Sequence, residues 1–305
     1  MQVVSLFAAL FSVLVPAKMW VAGNQPIKVT DKSDAAVTFV LTDFSGRVME
    51  AKGDCTVQPG AEADVRQFYP AASTPGAYVL WAVPKGKQLP EFIGTPLVLT
   101  VRADRKPGSP NPNEVHVTKV EPLRYGVMTT DKGVITCVFY YDVAPNTTAT
   151  MQMLAEQGYF DGLAFHRIVP GFVVQAGDPL GDGRGGPGFN ANAEFSDRKH
   201  EAGVLSMARR GDDLERQGFP PRAEFANSAG SQFFICTGVA ESLDKKYTAF
   251  GKVTAGMEVV KAIEGVPVAD KQTGRPQTAP VIQKFEIKNV TPAENPYKAI
   301  MSLNP

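Results

Sequence analysis

Two apolar stretches of the sequence carry long polar side chains that could bind a ligand without reacting with it. The first runs from Phe165 to Asp178 and contains Arg167 and Gln175, and the second runs from Ser231 to Thr237 and contains Gln232. Each stretch alternates apolar residues and includes phenylalanines, so each is predicted to be a strand that lines an apolar pocket with a few fixed donors. No nucleophile stands beside a general base in either stretch. The composition therefore indicates binding chemistry.

Arg167 is the residue that is hardest to explain as structural. A guanidinium on an apolar strand face is costly to desolvate unless partners hold it or a ligand uses it. Strand alternation places Phe165 and Arg167 on the pocket side and His166 and Ile168 on the other side, with Gln175 available as a partner. We therefore expect Arg167 to contact a ligand and His166 to be a hydrogen-bonded structural residue.

Other short motifs have ordinary structural explanations. Gly181 to Gly186 matches the dinucleotide fingerprint G-x-G-x-x-G as a string, but Pro187 and Gly188 follow where a helix should begin, so we interpret it as a surface loop. Asp178 and the carboxylates that follow it are expected to be solvated loop charges. No His, Cys and carboxylate cluster has metal-ligand spacing, and no cofactor is expected. The three cysteines are too few for a disulfide framework and are expected to be reduced.

The bulk composition bounds the class of protein. The chain has 305 residues, enough for two domains that each bury a core. Lys plus Arg and Asp plus Glu both number 31, and no basic run occurs, so nucleic acid is not expected as a partner. Residues 24–123 show about seven short alternating strands, among them Val48 to Val57 and Ala63 to Phe68, and they predict an immunoglobulin-like β-sandwich. This domain could bind a protein partner or space the next domain from a surface.

The first 23 residues are predicted to direct export. Met1 to Ala17 carries no charge, and its apolar core has the length of a signal-peptide core rather than of a membrane span. Val15-Pro16-Ala17 offers small residues where cleavage could occur. We expect residues 1–23 to be a signal peptide or an anchor. The protein would then be exported, either periplasmic or membrane-anchored on the outer side of the cytoplasmic membrane. Part of this segment could instead be the first strand of the following domain.

Residues 124–291 form the second predicted domain, and residues 292–305 are predicted to be a C-terminal tail. Strands outnumber helices, and the two predicted helices, one starting near Pro145 and one at Met257 to Ile263, do not alternate with parallel strands. This arrangement predicts a closed antiparallel barrel capped by helices. The Pro-, Gly- and Asn-rich residues 105–114 are interpreted as a hairpin loop before a domain boundary near Arg124.

A series of motifs in the second domain recurs, in the same order, in one known family. The motifs are Phe-His-Arg-Ile-Val-Pro-Gly-Phe at 165–172, Gln175, Gly177-Asp178, Gly203-Val-Leu-Ser-Met-Ala208, Gly230-Ser-Gln-Phe-Phe-Ile-Cys-Thr237 and Phe250-Gly-Lys-Val253. By these motifs the chain resembles the cyclophilin-type peptidyl-prolyl cis-trans isomerases over roughly Tyr125 to Val290. The resemblance implies a mainly β fold with a cyclophilin-like eight-stranded antiparallel β-barrel capped by two α-helices. It also implies rotation about X-Pro bonds of proline-containing polypeptides.

The resemblance further implies roles for individual residues. Arg167 corresponds to the family's catalytic arginine, and Phe172 and Gln175 complete the catalytic set. Phe172, Phe234 and Leu243 correspond to the hydrophobic proline pocket. The full set implied to bind substrate is Phe172, Val173, Gln175, Ala208, Arg209, Gln232, Phe234, Leu243 and Tyr247.

Two departures from the family pattern lie beside the groove. Tyr247 replaces a common histidine and keeps an aromatic wall. The segment Arg209 to Asn227 is longer than the family's usual connection. Because it brings two arginines next to Ala208, we predict that it favours substrates with acidic residues near the proline.

Two functions of different classes follow. The first is a monomeric prolyl isomerase that assists the folding of exported proteins. The second is a non-catalytic scaffold protein that binds proline segments. The joint presence of Arg167, Phe172, Gln175 and Phe234 favours the enzyme, because a pure binder has no need of the arginine.

Overall fold

The chain folds as two units. The computed structural model of the protein describes residues 13–23, 25–103 and 116–303. The first unit comprises Met1–Arg124 and Asn289–Pro305, and the second comprises Tyr125–Lys288. None of the helices in these described residues combines the length and the apolar character needed to cross a membrane.

The first unit is built from two antiparallel sheets around one core. A three-stranded sheet has the order β1-β3-β6, and a six-stranded sheet has the order β2-β9-β8-β7-β4-β5. Buried side chains from both sheets, such as Val29 and Phe39, belong to the same apolar cluster. The strands are β1 Leu14–Pro16, β2 Trp20–Ala22, β3 Lys28–Asp31, β4 Val37–Asp43, β5 Thr56–Val57, β6 Glu62–Asp64, β7 Gly76–Pro84, β8 Ile93–Ala103 and β9 His116–Pro122.

Two predicted strands of this unit are shorter than expected. The segment 48–57 forms a strand only at its end, in β5, and the segment 63–68 leaves β6 for a short helix, α1, at Val65–Phe68. The Asp64 side chain accepts a hydrogen bond from the Arg66 N–H and so caps this helix. A capping carboxylate stabilises a helix start and competes with strand continuation.

The segment predicted to be a signal peptide or anchor contains two strands. β1 pairs with β3, and β2 pairs with β9 at the edge of the six-stranded sheet. Leu14 and Val21 are buried in the core of the first unit. The structure therefore differs from the prediction at residues 14–22 and agrees with the alternative that part of the segment is a strand of the following domain. Residues 1–12 lie outside the described residues, and export stays a prediction.

The end of the chain returns to the first unit instead of forming a separate tail. A 3-10 turn at Pro296–Ala299 buries Tyr297, whose hydroxyl donates to the Arg124 carbonyl at 2.7 Å. The Tyr297 ring meets Phe44 edge-on, with centroids 5.9 Å apart. The described residues after 289 are therefore part of the fold.

An eight-stranded sheet forms the second unit. Its order is β12-β13-β15-β14-β16-β11-β10-β19, and the strands β17 and β18 pair separately. The strands are β10 Arg124–Thr130, β11 Gly133–Phe139, β12 Arg167–Val169, β13 Val173–Ala176, β14 Val204–Met207, β15 Phe233–Cys236, β16 Ala249–Ala255, β17 Val268–Asp270, β18 Arg275–Pro276 and β19 Ile282–Asn289.

Backbone hydrogen bonds join the two ends of this sheet. Ala164 and Val281, which lie just before β12 and β19, form an isolated antiparallel bridge. The Phe165 N–H donates to the Pro280 carbonyl at 2.8 Å on the same side. The sheet thus curves until its edge strands meet, which removes the open edges of a flat sheet.

Of the helices described in the second unit, the first and the last lie at the two predicted places, and the short middle one was not predicted. These helices are α2 Pro145–Glu156, α3 Ala223–Ala226 and α4 Met257–Glu264, with 3-10 turns at Asp213–Gln217 and Glu241–Leu243. The coarser prediction, a mainly β chain with few helices, is confirmed, whereas the immunoglobulin-like character of the first unit stays a prediction.

Candidate active site

Strand pairing places Arg167 beside Gln175. β12 and β13 are antiparallel neighbours in which these two residues lie directly opposite each other. Side chains that face each other across two strands are close enough to interact. The Arg167 Nη1 group donates a hydrogen bond to Gln175 Oε1 at 3.3 Å. The structure therefore gives Arg167 the partner that the sequence predicts, Gln175.

A chain of amide hydrogen bonds extends from this pair to the glycine-rich loop. The Gln175 Nε2 group donates to Gln232 Oε1 at 3.0 Å, and the Gln232 Nε2 group donates to the Gly185 carbonyl at 2.9 Å. In each of the two glutamine side chains, the amide oxygen accepts on the side of Arg167 and the amide nitrogen donates on the side of the loop. The orientation of Arg167 is thus fixed by two side chains and one backbone carbonyl.

The loop itself is shaped by Asp178, which is buried and not a solvated loop charge as predicted. Its carboxylate accepts hydrogen bonds from the backbone N–H groups of Leu180, Asp182 and Gly183 at 2.8, 3.0 and 2.5 Å. Burial alone would raise the pKa of Asp178, but these hydrogen bonds outweigh it, and the pKa lies below its ordinary value. The carboxylate takes the place of water as the hydrogen-bond acceptor for the backbone N–H groups of this turn. Sequence composition does not reveal such a contact.

Arg167 combines partial burial with unused hydrogen-bonding capacity. Burial lowers the pKa of its guanidinium, and Tyr247 nearby acts in the opposite direction. In the described part of the chain the guanidinium has an amide partner and no carboxylate partner. A guanidinium has five N–H donors, so most of them stay available to a ligand.

An aromatic wall stands on the neighbouring part of the site. Phe234 on β15 is buried, and its ring meets Tyr247 edge-on with centroids 5.9 Å apart. Tyr247 follows the 3-10 turn at Glu241–Leu243, and its N–H donates to the Leu243 carbonyl at 3.1 Å. The aromatic wall therefore combines two chain segments. One is β15, which carries Phe234, and the other is the 3-10 turn and the residues after it, which carry Leu243 and Tyr247.

Phe172 and Val173 lie at the start of β13. Phe172 is partly exposed, and its carbonyl accepts a hydrogen bond from the Thr237 N–H at 2.9 Å. Val173 pairs with Cys236, and its side chain is 1% exposed. Of these two predicted substrate-binding residues, Phe172 alone presents appreciable side-chain surface.

A cavity of about 630 Å³ adjoins the amide chain. Gln175 and Gln232 line it on one side, and Ala208, Arg209 and Arg210 line it on another. The glycine-rich loop at residues 183–188 supplies much of the remaining wall. The predicted residues Gln175, Ala208, Arg209 and Gln232 thus share one concave surface.

The structure overturns the predicted position of His166. Its Nε2 atom lies 3.5 Å from Gln175 Nε2, so the ring reaches the same glutamine as Arg167. β12 begins only at Arg167, and strand alternation therefore does not apply to the residue before it. The ring is buried, and burial lowers its pKa. The sequence carries no signal for this position, because it does not fix where the strand begins.

Arg209 is held by the long segment that follows it, with its charge paired. Its Nη1 and Nη2 groups donate to the two carboxylate oxygens of Glu215 at 2.9 and 2.6 Å. The prediction that both arginines beside Ala208 present free charge to a substrate is therefore wrong for Arg209. Glu215 lies six residues further along the chain, and the sequence does not predict the conformation of the segment between them. The sequence alone therefore could not predict this ion pair.

The donor set of the site suits binding and not metal or covalent chemistry. In the residues that the structure describes, no group of three or more His, Cys, Asp or Glu side chains could hold a metal ion. What the site offers is an oriented guanidinium beside an apolar wall, with a cavity next to it. Such a site can hold an apolar ring and donate a hydrogen bond to a polar atom attached to it.

Comparison with known proteins identifies the same region. The family model for the cyclophilin type peptidyl-prolyl cis-trans isomerase/CLD matches residues 125–287. A peptidyl-prolyl cis-trans isomerase of Synechococcus elongatus is 39% identical over 149 residues, which are 49% of this chain and 92% of that protein. Peptidyl-prolyl cis-trans isomerase B of Bacillus subtilis is 44% identical over 124 residues, 40% of this chain and 77% of that protein.

A third relative extends the similarity. A peptidyl-prolyl cis-trans isomerase of Helicobacter pylori is 35% identical over 160 residues, covering 52% of this chain and 85% of that protein. The matched family region covers more than half of the chain and contains the guanidinium, the amide chain and the aromatic wall. The chain therefore belongs to the cyclophilin-type peptidyl-prolyl cis-trans isomerase family and is an enzyme that catalyses cis-trans isomerisation of peptidyl-prolyl bonds.

Proposed function

We propose that Arg167 is the catalytic residue of this isomerase and that Gln175 and Gln232 orient it. The hydrogen-bond chain from Arg167 to Gly185 carries the proposal, because it fixes a half-buried guanidinium without neutralising it. Phe172, Phe234 and the residues around them hold the proline ring of the substrate. The remaining substrate contacts are assigned to Leu243 and Tyr247 on the apolar side and to Ala208 and Arg209 along the backbone rim, whereas the Val173 side chain is buried.

The reaction needs such a donor and no nucleophile. Amide resonance opposes rotation about an X-Pro bond with a barrier of about 18–20 kcal/mol. In the twisted transition state the prolyl nitrogen becomes pyramidal and its lone pair can accept a hydrogen bond. A donor aimed at this nitrogen stabilises the transition state more than the planar ground state, which lowers the barrier.

A peptide isomerisation assay on Arg167→Ala tests the assignment. Removing one transition-state donor is expected to lower kcat by about 100-fold or more. Arg216→Ala is the matched control, since Arg216 is an exposed arginine of the second unit outside the site. An Arg167→Ala variant with wild-type turnover would refute the catalytic role, and negligible activity in wild type and variant alike would favour the scaffold function.

We also propose that the enzyme assists the folding of exported proteins. The uncharged, apolar segment from Met1 to Ala17 supports this location. Cleavage after Ala17 would remove β1, in which Leu14 is buried, so processing is expected before residue 14. N-terminal sequencing of the protein from separated cell fractions tests this. Recovery only from the cytoplasmic fraction would contradict export.

For the first unit we propose an immunoglobulin-like sandwich that serves as an interaction or spacing module of a monomeric enzyme. Its two sheets with a common core support the sandwich. Deleting the first unit is not expected to change the catalytic rate constant of the isomerase, because Arg167 and its hydrogen-bond partners lie in the second unit.

A further inference from the structure

The long segment from Arg209 to Asn227 is internally braced. Asp212 accepts hydrogen bonds from the Leu214 N–H and from the Arg222 guanidinium, the latter at 2.8 Å through both Nε and Nη2. Glu215 completes a capping box with Asp212 at the 3-10 turn Asp213–Gln217. These contacts give the segment a defined shape and fix the position of the Glu215 carboxylate.

The Glu215 carboxylate holds the Arg209 guanidinium from one side. Besides its two bonds to Glu215, Arg209 donates from Nε to the Lys246 carbonyl at 3.0 Å and from Nη1 to the Arg210 carbonyl at 2.9 Å. The Arg209 side chain is 2% exposed in this arrangement. Most of its donors are therefore used inside the protein, and its side chain is not free to bind substrate.

The same guanidinium lies over the ring of Tyr247. The Arg209 Cζ atom is 4.3 Å from the centre of the Tyr247 ring, and Tyr247 in turn meets Phe234. A guanidinium is attracted to an aromatic face when it lies within about 6 Å of the ring centre. The carboxylate of Glu215, by binding both Nη groups, holds the guanidinium in this position.

We propose that Glu215 is a positioning residue for the proline pocket. It holds Arg209 over the Tyr247 ring and thereby fixes the aromatic wall formed by Tyr247 and Phe234. The inference rests on the proposed placement of Tyr247 in the substrate groove. It assigns to the long segment a role in shaping the groove, which differs from the predicted screening of substrate charge by Arg209.

Kinetics of Glu215→Ala test the proposal. Without its partner the buried Arg209 charge is left unpaired and is expected to leave the Tyr247 face. We expect kcat/KM for a proline peptide to fall about fivefold, mainly through KM, because the wall binds the proline while Arg167 is unchanged. Glu215→Gln, which keeps one acceptor oxygen, should lose less. Glu224→Ala is the matched control, since Glu224 is an exposed carboxylate of the same segment, 65% exposed, and should behave as wild type.

A double-mutant cycle with Tyr247→Ala separates positioning from a general structural effect. If Glu215 acts through the Tyr247 ring, adding Glu215→Ala to Tyr247→Ala should change kcat/KM by less than about twofold. The same fivefold loss in both backgrounds would overturn the proposal, as would wild-type KM in Glu215→Ala. Glu215→Gln provides the same cycle should the alanine variant fail to fold. Failure of the catalytic assignment would show separately, as full activity of Arg167→Ala.

Discussion

Two arginines of the second unit, Arg167 and Arg209, show how the partner decides the use of a guanidinium. Arg209 has a bidentate carboxylate and two carbonyls, so its hydrogen-bonding capacity is spent in the fold. Arg167 has the neutral amide of Gln175, which orients it and leaves both its charge and most of its donors available. A carboxylate in place of Gln175 would pair the charge that the proposed mechanism uses.

The pairing of Arg167 with Gln175 could be predicted from the sequence, because it follows from strand alternation and a short turn. The involvement of His166 could not. Its ring lies beside Gln175, and β12 starts at Arg167, after the apolar pattern has already begun at Phe165. A strand boundary of one residue decides the side on which a side chain lies, and composition does not set that boundary.

The buried histidines predict how stability depends on pH. Burial lowers the pKa of His166 and of His200 below the ordinary value of 6.5, although Asp244 acts in the opposite direction on His200. The unfolded chain therefore binds more protons than the folded protein as pH falls below that value, and the free energy of unfolding decreases. The urea midpoint should be lower at about pH 5.5 than at about pH 7.5. An equal or higher midpoint at the lower pH would contradict the burial of neutral imidazoles.

At the scale of elements, the glycine-rich loop and the first two residues of the long segment, Arg209 and Arg210, line the cavity beside Gln175. Arg184 and Arg210 line this cavity and are exposed, whereas Arg209 is paired. Among the described residues that line it, none is an aspartate or glutamate. The exposed charge in this cavity therefore comes from Arg184 and Arg210.

This arrangement predicts a modest preference for acidic residues near the proline. Exposed charges interact weakly in water, so kcat/KM for an acidic flanking residue should exceed that for a basic one by about two- to fivefold at low salt. Arg210→Ala should reduce the ratio, and Arg216→Ala, which removes an arginine outside the cavity lining, should not. Equal kcat/KM for acidic and basic peptides at low ionic strength would show that the cavity does not read charge.

Helices and strands could be predicted where an apolar pattern was long. The prediction failed where a single polar contact decided the local structure. β4 and β7 follow an alternating or continuous apolar pattern, which predicts strands at Ala36 to Phe44 and Ala77 to Val83, and both strands lie close to these ranges. α1 replaces a predicted strand because Asp64 caps it, and the shape of the glycine-rich loop depends on the buried Asp178. Such contacts join residues whose spacing carries no periodic signal.

At the scale of the whole chain, the sequence placed the boundary near Arg124, and the units divide between Arg124 and Tyr125. The return of residues 289–303 to the first unit could not be foreseen. That segment is short and has no periodic apolar pattern, yet it buries the side chains of Val290, Tyr297, Met301 and Leu303, and the Tyr297 hydroxyl donates to the Arg124 carbonyl. The strands at 14–22 could be predicted only as an alternative, because an apolar run suits a leader and a buried strand equally.

The central claim is that Arg167 acts on the transition state rather than on substrate binding. Exchange NMR of a proline peptide measures its dissociation constant and its rate of cis-trans exchange on the enzyme. Wild type and Arg167→Ala are compared in parallel samples. Dissociation constants should agree within a few fold, while the rate of cis-trans exchange on the enzyme should fall about 100-fold or more in the variant. Wild-type exchange in Arg167→Ala, or a loss confined to binding, would contradict the account.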